Sequence, residues 1–142
     1  MHKKTVVLMA LVTVGLVVGY TTMKPAPEAP APPSVETAMV KVTLPATLTS
    51  QAQLGKTAFE GKCAACHGVN GAGNVNAGPP LIHKIYEPSH HGDESFQYAT
   101  AMGVQAHHWR FGNMPPVEGI TRAEVGTIIA YIREVQRANG IF

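Results

Sequence analysis

The five residues Cys63-Ala64-Ala65-Cys66-His67 constrain this chain more than any other feature of its sequence. C-x-x-C-H is the attachment signature of haem c, in which the two thiols form thioethers and the adjacent imidazole reaches the iron. The chain has two cysteines in all, so one haem would use both of them. Such a group supplies a large apolar centre, which lets a short domain fold with many loops.

Other uses of a C-x-x-C pair fit less well. A thioredoxin-type redox pair should lie near a βαβ pattern, and none surrounds residues 63–66. A closed zinc site needs four ligands, and His67 is too near Cys66 to be a typical fourth ligand. A structural disulfide stays open as an alternative if the protein is exported.

Met114 is the candidate second axial ligand of the iron. It lies in Phe111-Gly112-Asn113-Met114-Pro115-Pro116, where a loop could bring its sulfur to the haem face opposite His67. The alternative is that Met114 fills a gap in the core, as methionine often does. Beside a C-x-x-C-H motif, the pattern favours the His/Met ligation of electron-carrying haem proteins.

Residues 1–23 have the pattern of an export segment. Lys3 and Lys4 precede an apolar run from Thr5 to Tyr20, as in the n-region and h-region of a signal. No A-x-A site follows the run directly, so an anchor over residues 5–23 is favoured over a cleaved signal peptide. The positive-inside rule places the rest of the chain on the periplasmic side of the cytoplasmic membrane. Cleavage would instead give a soluble periplasmic protein.

A Pro-rich linker over residues 24–48 follows, and its PAPEAPAPP stretch favours extended polyproline II. Met39–Leu44 has a brief strand-like character within it. The folded domain is predicted over residues 49–142. Its charges balance, with seven basic and seven acidic side chains, and haem propionates would make it mildly acidic. Nucleic-acid binding and a strongly basic docking face are therefore not expected.

The domain has the periodicity of helices. Ser50-Gln51-Ala52-Gln53 has the pattern of a capping box and opens a helix that runs up to the haem motif. A middle helix is predicted around Asp93 to Gly103. A second capping box, Thr121-Arg122-Ala123-Glu124, precedes an apolar stripe that ends before Asn139-Gly140.

These motifs, together with Phe59 and Gly78-Pro79-Pro80-Leu81, closely resemble a bacterial class I cytochrome c over about residues 50–142. The resemblance implies an all-α fold whose N- and C-terminal helices cross around one covalently bound haem. Gly55, Phe59 and Tyr131 occupy positions that look like the crossing.

The resemblance also implies roles for individual side chains. The predicted cofactor-binding residues are Cys63, Cys66, His67, Pro79, Leu81, Trp109 and Met114, with His67 and Met114 as iron ligands. The Pro79 carbonyl should accept a hydrogen bond from the His67 imidazole, and Leu81 should pack on the haem. Trp109 and Arg110 could donate to a propionate, with plain core packing as the alternative for Trp109.

The chain departs from a minimal family member in its paired histidines, His90-His91 and His107-His108, with His83 nearby. One of them could displace Met114 to give a bis-His haem. Alternatively, they could form a copper or zinc site, or dock against a copper protein. The simplest alternative is that they are solvated or face a propionate.

The predicted function is one-electron transfer between respiratory redox partners, without enzymatic activity. Electrons would pass through an exposed haem edge ringed by Ala64, Ala65 and Gly68 to membrane or periplasmic proteins such as an oxidase, a reductase or a copper protein. A second possibility is a haem-bearing subunit of a periplasmic oxidoreductase complex. A third is a gas sensor or small peroxidase in which Met114 does not hold the iron, although no distal acid–base pair is evident.

Overall fold

The computed structural model describes residues 33–142, and this part of the chain is helical without a β-strand. The α-helices are α1 (Ser50–Lys62), α2 (Ala64–His67), α3 (Asp93–Met102) and α4 (Arg122–Ala138). Short 3₁₀ turns occupy Val35–Thr37, Val69–Gly71 and Lys84–Tyr86. The all-α prediction is therefore confirmed, as are the middle helix and the end of the last helix.

The two long helices begin at side-chain caps. The predicted capping box of α4 is present, since the Thr121 hydroxyl accepts from the Glu124 N–H and the Glu124 carboxylate from the Thr121 N–H. The predicted box at Ser50 is wrong, because Thr49 caps α1 and accepts from the Ala52 N–H at 3.3 Å. The Thr49 hydroxyl also donates to Glu134 of α4 at 2.6 Å, so this cap joins both helices.

Helices α1 and α4 cross in close contact. Gly55 lies so near the Thr127 carbonyl of α4 that a Cβ atom would overlap it. Phe59 and Tyr131 are fully buried beside this point, with ring centroids 5.7 Å apart. The predicted crossing of the N- and C-terminal helices at these residues is confirmed.

Residues 38–48, the end of the predicted linker, run along the domain without helix or strand. The Met39 and Val40 N–H groups both donate to the Ala72 carbonyl, at 3.0 and 3.1 Å. Val42 and Leu48 pack against the core.

The predicted anchor and most of the PAPEAPAPP stretch lie outside the described residues. Within residues 33–142, no helix combines the length and the apolar character that crossing a membrane requires.

Candidate cofactor-binding cavity

A cavity of about 780 Å³ lies between the helices and the loops that connect them. All of the predicted cofactor-binding residues line it: Cys63, Cys66, His67, Pro79, Leu81, Trp109 and Met114. Most of the remaining wall is apolar and includes Phe96, Val125 and Ile128. The volume lies in the upper part of the range of about 300–1,000 Å³ found for cofactor and small-molecule sites. The structure thus gathers residues spread over half the sequence into one cavity.

One tight turn presents the C-x-x-C-H motif to this cavity. Cys63 ends α1, and its carbonyl accepts from the N–H groups of Cys66 and His67 at 3.1 and 2.9 Å. The buried Asn74 amide holds the turn from outside by donating to the Ala65 carbonyl at 3.1 Å. The spacing of two residues between the thiols therefore places both cysteines and the imidazole on one wall.

The electrostatics of Cys63 argue against a redox thiol pair. Burial, with a smaller contribution from Cys66, raises the pKa of the Cys63 thiol to about 11. A catalytic dithiol needs a thiol whose pKa is lowered, because the thiolate is the nucleophile. At neutral pH Cys63 therefore stays a thiol, which fits attachment of a cofactor better than thiol–disulfide exchange.

His67 has the hydrogen bond that was predicted for it. Its Nδ1 lies 2.9 Å from the Pro79 carbonyl oxygen, and since a carbonyl can only accept, Nδ1 carries the proton. Nε2 is then left with a free lone pair. Burial lowers the pKa of His67, and the hydrogen bond to Pro79 offsets this only in part. The ring is therefore neutral at pH 7, with one nitrogen ready to bind a metal.

The backbone of Met114 is fixed by a single antiparallel bridge. Met114 and Val104 exchange two hydrogen bonds, Met114 N–H to Val104 O at 3.0 Å and the reverse at 2.9 Å. Pro115 and Pro116 follow and have no N–H to extend the pairing. Within the described residues this isolated bridge, rather than a sheet, sets the place of the thioether in the cavity wall.

Trp109 carries the observation that best tests the fit of a haem group. Its indole N–H is buried and has no hydrogen-bond partner among residues 33–142. Burial raises the pKa of the nearby Tyr86 phenol, and the Trp109 N–H lowers it by a smaller amount. The two groups are close, but their geometry is not that of a hydrogen bond. A buried unpaired donor costs about 1–3 kcal/mol. A propionate bound in the cavity would satisfy it, so the residues present fit a haem.

Arg110 differs from its neighbour. Its side chain is exposed, and it is not among the described side chains that line the cavity. The prediction that Arg110 donates to a propionate therefore gains no support.

Two residues of α4 that the sequence interpretation missed hold one wall of the cavity. Arg133 is 7% exposed, and its guanidinium donates to the Tyr86 carbonyl at 2.7 Å, to the His91 carbonyl and to Asp93. Gln136 is fully buried and donates to the carbonyls of Leu81 and Tyr86, at 2.9 and 3.0 Å.

A signal for both residues was present in the sequence. Arg133 lies four residues after Ile129, and Gln136 lies four after Ile132, so both fall on the apolar stripe of α4. Polar side chains at such positions must find partners, because burying a polar group without a hydrogen bond is costly.

Fewer small residues are exposed beside the two cysteines than the sequence predicted. Ala65 and Cys66 are exposed, whereas Ala64 and Gly68 are buried. The predicted ring of small residues is therefore wrong at Ala64 and Gly68, because Ala64 belongs to the core cluster and Gly68 packs against the Gly73 backbone.

The paired histidines meet at the rim of the cavity, where His91, His107 and His108 form part of its wall. His83 is separate from them. Its Nδ1 accepts from the Ile85 N–H at 3.2 Å at the start of a 3₁₀ turn, and its ring packs edge-on against Trp109.

Comparison with known proteins gives one match. The family model described as Cytochrome c matches residues 52–136, a segment that contains every residue predicted to bind the cofactor. Searches of the curated proteins and of the solved structures found no match.

Proposed function

Because the chain belongs to the cytochrome c family, whose members are typically haem-containing electron carriers, we propose that it is a one-electron carrier with one covalently attached haem c. The observation that carries this proposal is that the C-x-x-C-H motif, Met114 and the unpaired Trp109 N–H all line one apolar cavity.

The residues that line the cavity would have different roles toward the haem. When bound, the haem would supply the Fe(III)/Fe(II) couple. Cys63 and Cys66 would hold it by thioethers, and His67 and Met114 would supply its two iron ligands. Because the chain would provide both of these ligands, no iron site would be left for a substrate, as a carrier requires. The Pro79 carbonyl fixes the His67 ring and increases the donor strength of its Nε2.

The cavity wall would also favour the reduced state of a bound haem. Leu81, Val125 and Ile128 are buried apolar residues that line the cavity. A low-dielectric surrounding disfavours the extra positive charge of the ferric state, and thioether ligation acts in the same direction. Together they would raise the reduction potential.

Electron exchange is proposed at the exposed edge formed by Ala65 and Cys66. The partners would be membrane or periplasmic redox proteins that dock through a small, transient contact. An anchor over residues 5–23 and a Pro-rich spacer would keep the domain at high effective concentration beside membrane partners on the periplasmic side.

A second candidate function, a haem-bearing subunit of a larger complex, is favoured by one observation. Tyr98 and Met102 lie four residues apart on α3 and are 71% and 66% exposed. A permanent partner would cover such side chains. Size-exclusion chromatography of the untagged protein extracted from its own membranes separates the two cases. A monomer favours the free carrier, and a discrete complex that Tyr98→Ser disrupts favours the subunit.

The main experiment is an optical spectrum of the holoprotein in both redox states, with Met114→Ala beside it. We expect low-spin spectra, no carbon monoxide binding to the ferrous protein, and a weak sulfur-to-ferric-iron band that Met114→Ala removes. Met102→Ala is the matched control, since Met102 is exposed on α3 and should leave the band unchanged. High-spin iron, or a spectrum indifferent to Met114, would overturn His/Met ligation and favour a sensor or a peroxidase.

A further inference from the structure

Four imidazoles form a group outside the proposed iron ligands, called here the histidine cluster: His90, His91, His107 and His108. His90 and His91 precede α3, and His107 and His108 follow it. Neighbouring rings in the cluster have centroids 4.2–6.1 Å apart. Two loops separated by a helix thus bring all four rings together.

Three of these rings have the spacing of metal ligands. Ring nitrogens of His90, His91 and His108 all lie within 4.8 Å of one another. The Nε2 atoms of His90 and His108 are 3.5 Å apart. Two imidazole nitrogens bound at 2.0–2.1 Å to a tetrahedral ion are about 3.3 Å apart, so this pair is almost at bonding separation. His90 and His108 are exposed, which gives an ion access and gives the rings room to adjust.

On the third ring, His91, a hydrogen bond to the backbone leaves one nitrogen free. His91 Nδ1 lies 2.6 Å from the Ile85 carbonyl oxygen, to which it must donate, and its Nε2 therefore keeps its lone pair. His107 is held in the same way by the Gln105 carbonyl at 2.8 Å. A backbone carbonyl on the far nitrogen is the usual second contact of a metal-binding histidine.

The ligand atoms of the histidine cluster indicate which kind of metal ion it would bind. Imidazole nitrogens suit zinc and copper, whereas calcium and magnesium prefer oxygen ligands, and the three converging ligand atoms are all nitrogen.

We propose that His90, His91 and His108 bind one divalent transition-metal ion of the zinc and copper class, with a further position open to solvent. The site uses neither of the proposed iron ligands, His67 and Met114. Since both loops contribute to the cavity wall, a bound ion would join the two segments that flank α3.

The test is a titration of Zn²⁺ into untagged holoprotein, followed by calorimetry. Zinc is redox-inactive, so it leaves the oxidation state of the iron unchanged, and in the holoprotein the two thiols would be held in thioethers. We expect one equivalent of Zn²⁺ to bind, with X-ray absorption at the zinc edge showing imidazole scattering and no sulfur. His90→Ala and His108→Ala should each weaken binding by about 100-fold or more. His83→Asn, which removes a histidine outside the cluster and keeps a capping acceptor, should bind like the wild type.

Three results would overturn the proposal: no stoichiometric binding, an affinity unchanged in both alanine variants, or sulfur in the zinc coordination. Histidines that only face a propionate give the first of these. Haem content, measured optically on the same samples, separates this outcome from failure of the proposed carrier function. An unchanged haem spectrum shows that each variant is folded.

Discussion

The helix crossing, formed by α1 and α4, and the part of the cavity wall that residues 79–117 contribute are built on different principles. Helix α4 has eight buried residues. Helix α3, the only α-helix within residues 79–117, has none. The buried members of the core cluster in this segment are Leu81 and Ile82, at its start. The crossing is therefore held by contacts between protein side chains, whereas beyond Ile82 the wall depends on whatever fills the cavity and on hydrogen bonds from α4.

The largest effect expected from this difference follows from removing haem attachment with Cys63→Ala and Cys66→Ala together. Without a bound group, the mostly apolar lining of this 780 Å³ cavity would be left against water, and burial of apolar surface is the main force that stabilises a fold. We therefore expect the wall to change shape when the cofactor is missing. Hydrogen exchange should show protection lost over residues 79–117 and partly retained in α1 and α4. Equal loss in both regions would mean that the crossing depends on the cofactor as well.

Two glycines of α1, one at the crossing and one away from it, test how closely α1 approaches α4. In Gly55→Ala the added methyl meets the Thr127 backbone, which cannot move aside easily, and we expect a loss of about 3 kcal/mol in the free energy of unfolding. Gly61→Ala is the matched control, because nothing lies within 4 Å of its Cβ position. It should stabilise α1 by about 0.5–1 kcal/mol. Chemical denaturation of the two holoproteins checks both values, and effects of the same sign would contradict the close approach.

Arg133→Met tests the attachment of the cavity wall to α4. The carbonyls of Tyr86 and His91 lose a charged donor, and we expect a loss of about 2 kcal/mol in the free energy of unfolding. Its ion pair with Asp93 adds little, because that carboxylate is 64% exposed. Hydrogen exchange should increase over residues 81–91 and not in α1. Arg137→Met, at an exposed position one turn later, should change stability by no more than about 0.5 kcal/mol.

The smallest effect concerns the start of α4 and depends on pH. Hydrogen bonds from Thr121 lower the pKa of Glu124, so its contribution to stability is present above the pKa of the unfolded chain. The contribution is lost as the pH falls through the lower pKa of the folded protein. Melting temperatures of Glu124→Gln and wild type should therefore differ at pH 7 and converge in acid. Glu118→Gln, at an exposed position outside a helix, should show no such convergence.

Periodicity and motif spacing were enough to predict the parts of the molecule that are local in sequence. The capping box at Thr121, the stripe of α4 and the C-x-x-C-H turn each depend on residues a few positions apart. The crossing at Gly55 was predictable only through the family resemblance, because a glycine in a helix does not itself indicate what lies against it.

The features that the sequence did not predict depend on distant contacts. Thr49 and Ser50 are chemically similar caps, and the structure uses Thr49, which also meets Glu134 from the other end of the domain. The roles of Arg133 and Gln136 depend on which carbonyls lie opposite α4. Only the fold supplies that information.

The order of elements along the chain has a consequence for how the protein is made. The C-x-x-C-H turn is synthesised before α4, at about 5–20 residues per second, so it exists for some seconds without the helix that crosses α1. During that interval Phe59 has no Tyr131 to pack against, and Arg133 and Gln136 are not yet there to secure the cavity wall. The two thiols would then lie on an unclosed domain, and we expect a bulky group to enter most easily before α4 packs against α1.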